Sequence, residues 1–198
     1  FFLFARISRD GHDKRFDQIK TNPVRFFLTW TLQATWVVLT SACAWVIITA
    51  HNDYSRSGST LSETTLSQPT WDTFATIGLS LWILGFLIEV VADAQKFSFR
   101  SLPANADKFI TTGLWARAQH PNYFGEIVLW IGIAIMALPV LSGGAWLALI
   151  SPLFVMFLLL RISGVPLLQK AGMEKWGNDP DYIVYRSDTP KLIPKLFL

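Results

Sequence analysis

His120-Pro121-Asn122-Tyr123-Phe124-Gly125-Glu126 is the densest run of chemically capable side chains in the sequence, and it stands where a polar stretch passes into an apolar block. Proline suits the first turn of a helix, so the string predicts a helix that opens there. Asn122 and Glu126, four residues apart, share one face of it, and Gly125 lets a second backbone or a ligand approach closely. The free N–H groups of a helix start suit a phosphate or a carboxylate. Arg9, Arg100, Lys108 and Arg117 lie in loops assigned to the same side, so the expected site is an anion-binding mouth. His120 taken alone reads better as a plain cap or a hydrogen-bonded surface residue than as a site; the string around it reverses that.

Two more carboxylates, Glu89 and Asp93, are also four residues apart and end the preceding apolar block. An ionisable group inside a span costs roughly 2.5 to 3.5 kcal/mol on insertion scales and marks a site by default. Glu89 fits that reading, flanked by Leu87-Ile88 and Val90-Val91; Asp93 also suits an ordinary interfacial helix end. Arg161, just past the last apolar run, either snorkels to the interface or faces the same mouth. His12, His51 and His120 fall in different loops, the middle one on the opposite side, which argues against a histidine metal site. No G-x-S-x-G or G-x-x-x-x-G-K signature is present. The single cysteine, Cys43, sits in an apolar block without a partner and reads as packing.

The elements that must hold these groups follow from composition. Of 198 residues, 52% are hydrophobic and 16% charged, and the mean hydropathy is +0.37. The apolar residues gather into blocks near the twenty needed to cross a bilayer, which excludes a soluble domain, collagen or a disordered chain. Full spans are expected at about 26–50, 71–93, 122–141 and 145–161, preceded by a helix stub at Phe1-Phe2-Leu3-Phe4. The fold class is therefore an all-α, polytopic transmembrane bundle, a single integral membrane domain over 1–198. Ser142-Gly143-Gly144 should turn the last two spans into a hairpin, with Pro152 early in the second. The tail, 162–198, turns amphipathic and Pro-punctuated and should pack under the bundle.

Lys and Arg number six in loop 6–25, one in 51–70, four in 96–119, none in the 142–144 turn and five after Arg161. Positive charge marks the cytoplasmic side, so loops 6–25 and 96–119 and the tail are expected there. The pI near 9.1 and net charge of +3 thus reflect membrane-flanking residues, and nucleic acid is not an expected partner.

Gly113-Leu114-Trp115, His120 to Glu126, and Leu160-Arg161-Ile162-Ser163-Gly164-Val165-Pro166-Leu167-Leu168 resemble the bacterial branch of the membrane steroid 5-alpha-reductase (3-oxo-5-alpha-steroid 4-dehydrogenase) family, over about residues 75 to 197. The resemblance implies a bundle of about seven helices when intact, multi-pass in a bacterial inner membrane. It also implies an oxidoreductase that takes hydride from cytosolic NADPH and adds it across an enone C=C bond of a lipid, such as a 3-oxo-Δ4 steroid. Steroid, sterol, polyprenol and long-chain enoyl lipids would all suit its apolar cavity. By the same resemblance Asn122 and Glu126 hold the nicotinamide and its ribose with Tyr123 nearby, Asp93 contacts a ribose, Arg100 takes a phosphate, and Arg9 to Arg15, Asp13 included, lies over the adenosine. Gln119 stands where the family usually has arginine, and its phosphate contact would pass to Arg117. The ketone-polarising tyrosine and glutamate are expected N-terminal to the matched region.

A second resemblance, to the isoprenylcysteine carboxyl methyltransferases, rests on a shared His-Pro-x-Tyr-x-Gly string and a later arginine, and implies S-adenosylmethionine. That family carries a Glu-Glu pair four and five residues past the arginine; here Arg161 is followed there by Val165-Pro166. A transporter or lipid-binding scaffold would place polar groups near the midplane, whereas these acidic groups gather at one rim.

Overall fold

The computed structural model describes residues 21–56 and 68–195, together with Ser8 and Ile19. The Phe1 to Phe4 stub and Arg9, Asp13 and Arg15 lie outside the described residues. Among those described, the chain is helical throughout, without a strand: α1 Pro23–Arg56, α2 Gln68–Ser101, α3 Pro121–Ala137, α4 Ile150–Phe157, α5 Val165–Trp176 and α6 Pro180–Asp188. Residues 23–50, 72–101, 121–140 and 143–176 are each long and apolar enough to cross a membrane. The protein is an all-α polytopic bundle.

Two helices outrun the expected spans, because helix ends are set by caps and breakers and not by polarity. α1 starts at Pro23, where the Asn22 Oδ1 accepts the backbone N–H groups of Val24 and Arg25 at 3.1 Å each. It continues past Ala50 to Arg56, so the start of the expected 51–70 loop is helical. α2 does not stop at Asp93 but reaches Ser101, and ends where Leu102, preceding Pro103, takes extended backbone angles. Lys96 and Arg100, expected in a loop, thus lie on the helix. Its 34 residues span about 51 Å at 1.5 Å each, beyond a ~30 Å hydrocarbon core, so its last turns emerge at the surface.

α2 and α3 run antiparallel in backbone contact. Gly78 faces Gly132 and Gly85 faces Gly125: a Cβ on Gly85 would lie 2.5 Å from the Gly125 carbonyl oxygen, and one on Gly132 2.5 Å from that of Gly78. Paired small residues let membrane helices approach this closely. α1 closes on the segment that leads into α4 through Cys43, whose thiol donates to the Ala148 carbonyl at 3.1 Å, and on α4 itself through Ser151, which donates to the Thr40 carbonyl. Cys43 is fully buried, with Ala134, Ala137, Leu141 and Ala148 around it. The fourth crossing is irregular: a 3₁₀ stretch over Gly143–Leu149 enters it from Gly143 at φ +49°, and a π turn over Leu158–Ile162 leaves it.

The tail folds back onto the segment joining α2 to α3. Gln119 donates from its amide to the carbonyls of Arg186 (2.9 Å) and Thr189 (2.6 Å), and from its backbone to that of Pro190 (2.8 Å). The Tyr185 hydroxyl donates to the Trp115 carbonyl at 2.7 Å. Phe109 inserts between Trp176, Tyr182 and Tyr185, with ring centroids 5.0 to 5.9 Å apart.

Candidate functional site

Continuation of α2 to Ser101 places Glu89, Asp93, Lys96 and Arg100 on one stripe, at offsets of four, seven and eleven residues from the first. The stripe changes sign along its length, acidic at the membrane end and basic at the emergent end. α3 meets its acidic half. The Asn122 amide donates to Asp93 Oδ1 at 3.1 Å, which leaves the buried Asn122 Oδ1 without a partner. Gly125 packs on the backbone of Gly85 and Glu89, so the close approach that the sequence permits is made by α2 and not by a ligand. That contact brings Glu126 of α3 into electrostatic range of both Glu89 and Asp93 of α2.

His120 occupies the residue before α3 but caps nothing. It is 6% exposed, stacks on Tyr123 at 5.6 Å, and neither ring nitrogen has a hydrogen-bond partner. The plain-cap reading is therefore wrong, and so is the surface one. Burial first, then the positive charges of Lys96, Arg186 and Lys191, pulls its imidazole down to about 4. An unfolded histidine takes its proton near 6.5. Between those values the unfolded chain binds more protons, so stability should fall as pH drops from 6.5 towards 4, by up to about 1.4 kcal/mol per pH unit. Melting of the detergent-solubilised protein between pH 6.5 and about 5 should show this slope, and His120→Gln should remove most of it. An unchanged slope in the variant would contradict the buried, neutral imidazole.

Beyond His120 a cavity of about 100 Å³ opens between the end of α2, the following loop and the tail. Its cations are Lys96, Arg100, Lys108 and Arg186, and aromatic rings wall it, among them Phe109 and Trp115. Lys108, which the sequence grouped with Arg100, thus lines the same cavity as Arg100. Arg117 and Arg161 are not among the cavity's lining residues: the Arg117 carbonyl accepts from Lys195 N–H at 3.0 Å, and Arg161 is exposed in the π turn. Burial pushes the Tyr185 phenol well above its usual range, with Tyr182 adding to the shift, so it stays a neutral hydrogen-bond donor.

The family model that matches this chain, over residues 1–189, is described as a protein of unknown function, DUF1295. The chain belongs to the DUF1295 family. No curated protein and no solved structure matches it. In this DUF1295 protein three contributors escaped the sequence reading as site residues. Lys96 was legible in its spacing, three residues past Asp93 and four before Arg100, once α2 is known to continue. Gln119 reads as a lost phosphate contact but serves as the tether that holds the tail over the cavity. Arg186 reaches the cavity from α6, and no local pattern announces it.

Proposed function

We propose that this DUF1295 protein is an NADPH-dependent reductase that adds hydride across an enone C=C bond of a lipid, such as a 3-oxo-Δ4 steroid, with its cofactor site open to the cytoplasm of a bacterial cell. The observation that supports this best is the sign change along α2. From Glu89 to Arg100 is eleven residues, about 16 Å of helix, with carboxylates at one end, the Asn122 amide of α3 bonded to one of them, and cations at the other. A nicotinamide dinucleotide phosphate has the matching polarity, hydrogen-bonding carboxamide and ribose at one end and phosphates at the other.

The residues present fit that group. The orphaned Asn122 Oδ1 is an acceptor for a carboxamide N–H, while Asp93 and Glu126 are acceptors for ribose hydroxyls. His120, buried and without a hydrogen-bond partner, stacks beside them on Tyr123. The basic cavity takes a phosphate-sized group and not a whole dinucleotide, so only that end fits within it. Bound NADPH would supply hydride to one enone carbon, the other receiving a proton. This chain's share is to position and to balance charge. For the methyltransferase reading, the positions that should carry a carboxylate pair hold Val165 and Pro166, which open α5. The amino-acid portion of S-adenosylmethionine would have no partners there.

Incubation of the solubilised protein with NADPH and a panel of enone lipids tests the reading. The expected result is NADPH oxidation coupled to a lipid product heavier by two hydrogens; methyl transfer from S-adenosylmethionine instead would overturn it. Asn122→Ala and Glu126→Gln should each weaken NADPH binding by roughly 1 to 3 kcal/mol, the cost of leaving buried polar partners unpaired, with unchanged elution on size exclusion. Wild-type affinity in either variant removes that residue from the site.

A further inference from the structure

The strap that follows α6 is pinned at the rim of the bundle. Main-chain bonds fix it at both ends: the Gln119 N–H donates to the Pro190 carbonyl at 2.8 Å, and the Lys195 N–H to the Arg117 carbonyl at 3.0 Å. Gln119 stands two residues before Pro121, where the apolar crossing 121–140 begins, so the strap lies at the level where α3 enters the membrane. Lys191 is also within electrostatic range of His120. Burial alternates along the strap: Leu192 and Pro194 are half-buried, while Lys191, Ile193 and Lys195 are exposed. Ile193 is 70% exposed, a large apolar side chain uncovered between two cations. Among the described residues neither lysine is ion-paired, in contrast to Lys170 with Glu174 and Lys175 with Asp107. Neither is among the residues that line the basic cavity.

We propose that Lys191, Ile193 and Lys195 form a docking surface for an anionic phospholipid of the adjoining leaflet. The face matches both parts of that lipid. An ammonium on a flexible stem is a point charge that any oxygen of a phosphodiester headgroup can approach. The strap's place at the rim sets both lysines at headgroup depth, where each basic side chain is drawn towards anionic lipid. Ile193 between them supplies the apolar contact, and its side chain gains by leaving water for the acyl boundary. Interfacial segments bind membranes by this combination of buried apolar groups and flanking cations. A second copy seated on the same face by two-fold symmetry would set like charges against each other, which argues for lipid over self-association. The surface does not depend on which cofactor the cavity takes.

The test places a bimane fluorophore on Ile193→Cys in the whole protein, reconstituted into phosphatidylcholine nanodiscs; Cys43 is fully buried and stays unlabelled. Quenching is compared for brominated phosphatidylglycerol and brominated phosphatidylcholine added at equal mole fraction. Both should quench, because the strap lies at the rim. The anionic lipid should quench more, through local enrichment of about fivefold for each lysine engaged. The double variant Lys191→Gln/Lys195→Gln should bring the two lipids level, as should high salt. Both side chains are exposed and Lys195 bonds through its backbone, so the strap keeps its tether. Lys170→Gln removes the same charge from a residue paired with Glu174 and should leave the preference intact. No quenching by either lipid, or equal quenching by both in the parent protein, overturns the proposal. So does a loss of preference in Lys170→Gln as large as in the double variant. A disulfide between unlabelled Ile193→Cys chains in the nanodisc would seat a second copy there instead and likewise overturns it.

Discussion

Gly125→Leu should leave this protein without a folded bundle, and Gly125→Ala should lower its melting temperature measurably. A Cβ on Gly125 would lie 2.5 Å from the Gly85 carbonyl oxygen and 2.7 Å from the Glu89 backbone nitrogen. Both are main-chain atoms of a membrane-spanning helix, so neither can rotate aside as a side chain would. The helices must separate. Overpacking of this kind costs about 1 to 3 kcal/mol for a small addition and more when the backbone must shift. Separation would also pull Asn122 from Asp93, whose 3.1 Å bond joins the two halves of the candidate site. Gly144→Ala is the matched control, since nothing lies within 4 Å of its added Cβ and its φ is not left-handed. It should stay within about 0.5 kcal/mol of wild type. Thermal unfolding followed by fluorescence-detected size exclusion measures all three; a Gly125→Leu variant that melts with wild type would contradict the backbone contact between α2 and α3.

Arg100→Ala should cost NADPH about 1.5 to 3 kcal/mol of binding, the range for a charge-assisted hydrogen bond, and leave NADH nearly unaffected. Seven residues past Asp93, Arg100 is two turns and about 10 Å further along the same face. This spacing has meaning because α2 runs to Ser101. Arg100 lines the basic cavity with Lys108 and Arg186, and a guanidinium is the side chain best shaped for bidentate contact with phosphate. NADPH and NADH differ only in the 2′-phosphate, so the ratio of their affinities isolates this contact. If Arg100 only anchored the helix end to lipid headgroups, neither affinity would move. Equal weakening of both would shift the 2′-phosphate to Lys108 or Arg186.

The spans were legible because membrane insertion writes itself into composition: each of the four apolar blocks folds into a helical segment long and apolar enough to cross a membrane. Their ends were less so. His51 to Arg56 and Lys96 to Ser101 are polar, yet contain no glycine or proline to stop a helix, and α1 and α2 continue through them. The 3₁₀ entry and π exit of the fourth crossing carry no compositional mark, since they arise where its ends meet the rest of the bundle. For the candidate site, spacing correctly put Asn122 with Glu126 and Glu89 with Asp93 on shared faces. What it could not supply is the join between those faces. That join depends on Gly78 and Gly85 meeting Gly132 and Gly125 in register, a fact about two distant segments at once. Gln119 shows the same gap: a substitution that reads as a lost ligand contact is a threefold tether to Arg186, Thr189 and Pro190.

Whether α2 and α3 hold NADPH is tested most directly by titration, without any substrate. Detergent-solubilised wild-type protein should be titrated calorimetrically with NADPH and, in parallel, with S-adenosylmethionine. Saturable binding of NADPH, weakened in Asn122→Ala, is expected, with no heat from S-adenosylmethionine. Saturable binding of S-adenosylmethionine with none of NADPH would contradict it.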